Sequence, residues 1–296
     1  MKKQPFAFHY HLMLLPGIVL LILFSIVPMF GITIAFQNFK PGLGFWRSEW
    51  VGFDNFKYLF ELPDSRIILF NTLFIAIGKI IANMIVPVVF ALLLNEVRTA
   101  WLKRSVQTIV YLPHFLSWVI LAGILSDLLS MDGLINQMIG AFGAKPIMFL
   151  GSNSWFPSIV IGSDVWKEFG FGTIVYLAAL TGINPSLYEA AAIDGATRMQ
   201  QLRYITLPSL KPTIILLATL SLGNVLNAGF DQIFNLYNPL VYDSGDIIDT
   251  YVYRAGLLQV QYGLATAVGL LKSVISFVLI IISYVLASKF ANYRIF

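Results

Sequence analysis

The sequence predicts an all-α, polytopic membrane protein with six transmembrane helices, and three observations carry that prediction. Of 296 residues, 58% are hydrophobic and 11% are charged, against roughly 25% charged in an ordinary soluble domain. A soluble fold could not hide so much apolar surface, because folding leaves a large area facing water. Six runs reach the length of about 20 mostly apolar residues that a helix needs to cross hydrocarbon. The cations between those runs also sort to one side more than to the other.

In chain order the expected spans are residues 12–36, 67–94, 105–129, 158–180, 213–236 and 264–288. The first is uncharged, and it is too long for a signal peptide and lacks a small-x-small site after it. The second carries Lys79 near its middle, and the third carries Asp127 near its end. The fourth holds Asp164, Lys167 and Glu168 in its first half, the fifth holds Asp231 and the sixth Lys272. No 20–50-residue repeat and no low-complexity linker interrupts the chain, so residues 1–296 read as a single transmembrane domain.

Six spans put both termini on one side. Ten Lys and Arg residues fall there, among them Lys2, Lys3, Arg98, Arg198 and Arg294, against six on the other side. The excess places both termini, and the loop between spans four and five, in the cytoplasm. The basic balance, pI 9.2, therefore reads as a topology signal for a lipid bilayer, with no nucleic-acid partner. Asp243, Asp246 and Asp249 fall outside.

Enzyme chemistry finds few tools here. The chain has no cysteine and three histidines, His9, His11 and His114. That removes thiolate chemistry and the H-E-x-x-H zinc helix, and no metal site is expected. No G-x-S-x-G elbow occurs. Gly78-Lys79-Ile80 lacks the upstream glycine and following hydroxyl of a phosphate loop. The chain is expected not to be an enzyme and to carry no cofactor of its own.

Residues 185–208 are the polar exception. Pro185 suits the first helical position, and Ser186 with Glu189 fits a capping box. A short helix is expected over 187–194, ended by Gly195 in the left-handed conformation. Thr197 and Gln200 fit a second capping box, opening a helix expected to end before Pro208. Asp194 is unfavourable at a helix C-terminus, and such a local violation points to a job beyond local stability. An ordinary interfacial hairpin and a partner-docking element both fit these features.

The run E-A-A-A-I-D-G-A-x8-I-x-L-P resembles the EAA loop of ABC-importer permeases, with Glu189, Ala190, Ala191, Asp194, Gly195, Ala196, Ile205, Leu207 and Pro208 on the motif. Arg198 belongs to the same loop. Trp166-Lys167 through 176–180 resembles maltose-type sugar permeases. Residues 227–239 resemble the branch importing polysaccharide-derived oligosaccharides, such as alginate and rhamnogalacturonan fragments. The resemblance implies the type I ABC importer permease fold, with short coupling helices between spans four and five. It also implies a bacterial cytoplasmic (inner) membrane location, a second homologous permease subunit, an extracytoplasmic solute-binding protein and an oligosaccharide cargo. Two partner ATPase subunits would hold ATP and Mg2+. The maltose-type extra N-terminal spans and large external domain are not expected here, which fits the shorter branch. External loops 39–65 and 239–262 would receive the binding protein.

Candidates for the cargo path come from intramembrane polar residues. Asn224, Asn227, Asp231, Asn235 and Asn238 recur at helical steps and would form one stripe on a continuous fifth helix. Carboxamides suit sugar hydroxyls, and equally serve as bonds between helices. On the fourth span Asp164, Lys167 and Glu168 fit a mutually satisfied cluster, or a cargo contact with Trp166 or Phe169 as an apolar wall. Lys79 and Lys272 need a counter-charge, for which Asp231 and Asp127 are the candidates. Otherwise these lysines attract an acidic, uronate-containing cargo. An ion-coupled secondary transporter is the alternative reading; it predicts inverted repeats, and none is visible.

Overall fold

The structure is a computed structural model that describes residues 7–290; Lys2, Lys3 and Arg294, counted in the charge balance, lie outside them. Helix α1 (Ala7–Leu21) continues through a π turn and a 3-10 stretch to Phe36. Helix α2 (Ser65–Glu96) is unbroken despite Pro87. Helix α3 (Ala100–Tyr111) leads to α4 (Trp118–Leu129), and α5 (Phe156–Thr181) follows. Helix α6 (Pro185–Ile193) precedes a continuous helical run from Arg198 through α7 (Leu207–Leu222). Helices α8 (Phe230–Leu236), α9 (Ile248–Tyr253) and α10 (Tyr262–Phe290) complete the main elements.

Among the described residues, five helical stretches are long and apolar enough to cross a bilayer: Tyr10–Phe36, Ser65–Glu96, Trp118–Ala141, Arg198–Leu222 and Tyr262–Leu286. Helix α5, expected as the fourth span, has 26 residues but carries three charges. Two expected spans are corrected. The third, 105–129, breaks at Pro113, which has no N–H to donate. There a 3-10 turn and an extended Leu116 intervene before Ser117 caps α4, accepting from the Ile120 N–H at 3.4 Å.

The fifth, 213–236, is not one helix. Helix α7 stops at Leu222, and Asn224, Val225 and Asn227 donate to carbonyls three residues back, at 3.0, 3.3 and 2.8 Å. Gly229, at φ +92°, then turns the chain into α8. A side chain is strained at that φ, so glycine is what permits the break. The stripe drawn on a continuous helix therefore does not exist as a single face.

By internal contacts the described residues form two units, one of residues 7–62 with Val252–Leu271, the other of Pro63–Tyr251 with residues 272–290. In the first, a two-residue antiparallel ladder pairs β1 (Gln37–Asn38) with β2 (Glu49–Trp50). Phe36 packs beside it, ring-stacked on Trp50 at 5.7 Å and edge-on to Phe53 at 5.5 Å. Asn55 donates to the carbonyls of Ala35 and Gln37, which ties the short helix Asp54–Glu61 to the end of the first span.

In the second unit, α2 and α5 pack most extensively. Their approach is close because Gly78 faces Ile161 and Gly172 faces Pro87. Small residues let membrane helices approach, where dispersion rather than hydrophobic expulsion holds them. Ile75, Ala76, Phe156, Val160, Ala228 and Ile233 form the buried core at that junction.

Candidate functional site

Two places collect the chemistry in the second unit. The first is a cavity of about 390 Å3 whose polar lining is Lys79 and Asn83 from α2, Asp164 and Tyr176 from α5, Ser221 from α7, and Asn224 and Asn227 from the break. Non-helical backbone at membrane depth is tolerated where it is buried in protein or lines a cavity. The break in the fifth span meets that condition, since both its asparagines face this space.

Lys79 is buried, and its ammonium meets Asp164 Oδ1 at 3.1 Å, donates to the Ala228 carbonyl at 2.7 Å and donates to Gln232 Oε1. Asn83 donates to the other Asp164 oxygen at 2.8 Å. Gln232, fully buried, donates to the Val160 carbonyl and to Ser163 Oγ, at 2.7 and 2.8 Å. A charge inside a membrane is tolerated when it is paired and hydrogen-bonded, and this network supplies both conditions. The counter-ion of Lys79 is thus Asp164, not Asp231 or Asp127.

The other intramembrane lysines are paired as well. Lys167 donates to the His114 carbonyl at 2.6 Å and meets Glu168 Oε1 at 3.3 Å. Glu168 Oε2 is hydrogen-bonded to His114 Nδ1 at 2.7 Å, and that imidazole stacks on Phe171. The expected single cluster of Asp164, Lys167 and Glu168 is therefore two: Asp164 faces Lys79, while Lys167 and Glu168 face His114. Lys272 meets Asp249 of α9 at 2.5 Å, again not Asp231 or Asp127. None of the three lysines is a free ammonium awaiting an acidic ligand.

Of the expected path residues, Lys79, Asn224 and Asn227 line the cavity. Asp231, Asn235, Asn238, Trp166, Lys167 and Lys272 do not. Asn235 donates back to the Asp231 carbonyl, and Asn238 donates to Leu150 while its Oδ1 caps the Leu240 N–H. Asp231 and Trp166 are exposed. Asn83, Tyr176, Ser221 and Gln232 were not singled out from the sequence. Asn83 follows Lys79 by four residues, one helical turn away on the same face, and that spacing was the available signal.

The second place is residues 184–208. Asn184 caps α6 by accepting from the Ser186 N–H at 3.0 Å, so the helix starts at Pro185. The expected Ser186–Glu189 box is not what opens it. Gly195, at φ +75°, ends the helix. The N–H groups of Ala196 and Gly195 donate to the carbonyls of Ala191 and Ala192 at 2.9 and 3.1 Å, the pair of bonds that defines a Schellman end. Thr197 and Gln200 form the expected capping box. The helix they open does not stop before Pro208. A π turn over Leu202–Thr206 carries it into α7, which absorbs the donor that proline lacks. Tyr188 Oη is hydrogen-bonded to Thr206 Oγ1 at 2.9 Å, holding α6 against this run. Glu189, Ala190, Asp194, Gly195, Arg198, Leu207 and Pro208 are exposed; Ala191 and Ala196 are half-buried. Ile193, which sequence reasoning passed over, is 87% exposed at the tip.

A family profile described as binding-protein-dependent transport system inner membrane component matches residues 83–292. The chain is 45% identical over 287 residues to the polygalacturonan/rhamnogalacturonan transport system permease protein YteP of Bacillus subtilis (strain 168), covering 97% of this chain and 89% of the relative. It is 44% identical over 287 residues to Protein LplB of the same strain, covering 97% and 90%. Among solved structures, it matches a chain in the crystal structure of a bacterial ABC transporter involved in the import of the acidic polysaccharide alginate, with TM-score 0.88, 40% identity and 96% of each chain covered. A bacterial alginate ABC transporter in complex with alginate pentasaccharide-bound periplasmic protein matches with TM-score 0.88 at 38% identity, over 97% of this chain and 96% of that one.

Proposed function

We propose that this chain, which belongs to the family of binding-protein-dependent transport system inner membrane components, is one permease subunit of an ATP-driven importer of polyuronide-type oligosaccharides. Membership is the premise; the cavity in the second unit carries the sugar reading. Its polar lining is mostly uncharged, with the carboxamides of Asn83, Asn224 and Asn227, the hydroxyls of Ser221 and Tyr176, and one closed ion pair. Such groups both donate to and accept from sugar hydroxyls. The acidic class of cargo comes from the relatives, whose names specify polygalacturonan/rhamnogalacturonan and alginate.

Residues 185–208 are the proposed contact with the motor. Their ends are locally capped, and Ile193 and Met199, 87% and 69% exposed, offer apolar surface to a partner. Two partner ATPases would hold ATP and Mg2+ and close on nucleotide, and a second permease subunit would complete the pathway. An extracytoplasmic binding protein would deliver cargo. The spans would then exchange inward and outward access, a two-state element biased by nucleotide and loaded binding protein. Both termini would be cytoplasmic.

The test is uptake of a labelled oligogalacturonide into proteoliposomes holding the complete transporter and its binding protein. Uptake is expected to require ATP and to persist without any ion gradient. Uptake driven by a gradient without ATP would instead favour ion-coupled transport.

A further inference from the structure

The break in the fifth span needs something to hold it, because its backbone lacks the regular ladder that stabilises a helix in lipid. The three protons of the Lys79 ammonium meet three oxygens: Asp164 Oδ1, the Ala228 carbonyl and Gln232 Oε1. Its donors are used up. Two of those oxygens belong to the break and the first turn of α8, and the third to α5. Gln232 in turn bonds α5 through Val160 and Ser163. Gly229 adds a steric reason for the same geometry: a Cβ there would lie 2.8 Å from the Lys79 nitrogen. The ammonium therefore sits against the turn itself, with Asn227 two residues before it facing the cavity.

We propose that Lys79 is a positioning residue for cargo rather than a cargo ligand. Its ammonium, neutralised by Asp164, clasps the Ala228–Gln232 turn and so presents Asn224 and Asn227 to the cavity. The inference rests on the reading of that cavity as a sugar path. It assigns this wall to the recognition of hydroxyls and removes Lys79 from selection of acidic sugars.

The chain has no cysteine, so Asn227→Cys creates its only thiol. In the complete transporter in proteoliposomes, with partner thiols removed, the rate of modification by a small cationic methanethiosulfonate reports how that position is presented. With Lys79→Gln or Gln232→Ala added, the rate is expected to shift on the order of threefold or more, while Lys79→Arg changes it less. If Lys79→Gln does not assemble, Lys79→Gln combined with Asp164→Asn leaves no unpaired charge and serves the same measurement. An unchanged rate in the assembled variants overturns the proposal. So does a loss of oligogalacturonide uptake in Lys79→Gln that leaves neutral oligosaccharide uptake intact, since that is the signature of a direct carboxylate contact. If the rate shifts but Asn224→Ala with Asn227→Ala leaves uptake untouched, the clasp stands and the sugar-path reading fails.

Discussion

At the scale of single residues, Gly195 links local geometry to the proposed coupling most directly. Its φ of +75° costs a residue with a side chain about 1–2 kcal/mol, and asparagine less than most. Proline cannot reach it, since its ring holds φ near −65°. Proline would also delete the N–H that bonds the Ala192 carbonyl. A Cβ at this position meets nothing within 4 Å, so any effect comes through the backbone rather than through a clash. Gly195→Pro is expected to abolish co-purification of the ATPase and ATP-coupled uptake while leaving the amount of membrane-inserted chain unchanged. Gly195→Asn is expected to keep most of both. Intact ATPase docking and uptake in Gly195→Pro would show that this joint is not gripped by the motor.

At the scale of elements, close helix approach is set by glycines, and two of them on α5 make a controlled comparison. A Cβ on Gly170 would lie 2.2 Å from the Val110 carbonyl oxygen of α3, whereas a Cβ on Gly162 meets nothing within 4 Å. Backbone cannot rotate aside as a side chain can, so Gly170→Ala must separate α3 from α5, and overpacking of this kind costs about 1–3 kcal/mol. Thermal unfolding of the purified chain in detergent should show a clear drop in midpoint for Gly170→Ala. Gly162→Ala should be unchanged or slightly raised, because alanine favours helix. Equal midpoints for the two variants would mean that the α3–α5 contact is not tight.

The same scale shows what the sequence made legible. The end of α6 and the start of the run that follows it are readable because caps are local: Gly195 and the Thr197–Gln200 pair act within a few residues of themselves. The start of α6 lies two residues before the expected one because Asn184 competes with Ser186 for the cap, and both are good ones. The break in the fifth span was hidden because Asn224, Asn227, Asp231, Asn235 and Asn238 keep helical spacing whether or not a helix joins them. Gly229 was the local sign, but one glycine in a membrane helix is common. The partner of Lys79 lies 85 residues away in Asp164, and pairing over such a separation leaves no local pattern in either segment.

At the scale of the whole molecule, the charge bias is the basis of the proposed orientation, and the absence of cysteine makes that orientation measurable. Ten Lys and Arg against six is the bias expected if the 185–208 segment is cytoplasmic and the connection between α4 and α5 is external. The three remaining cations are Lys79, Lys167 and Lys272, each paired with a carboxylate, so they add nothing to the bias. Phe142 and Met199, 89% and 69% exposed, stand on those two connections and can each carry the chain's only thiol. In cells with a permeable outer layer and an intact cytoplasmic membrane, a membrane-impermeant maleimide is expected to label Phe142→Cys. Met199→Cys should be labelled only after the cytoplasmic membrane is opened. Labelling in the reverse order would invert the topology. It would also separate residues 185–208 from any cytoplasmic ATPase, and a motor-docking role for that segment could not survive it.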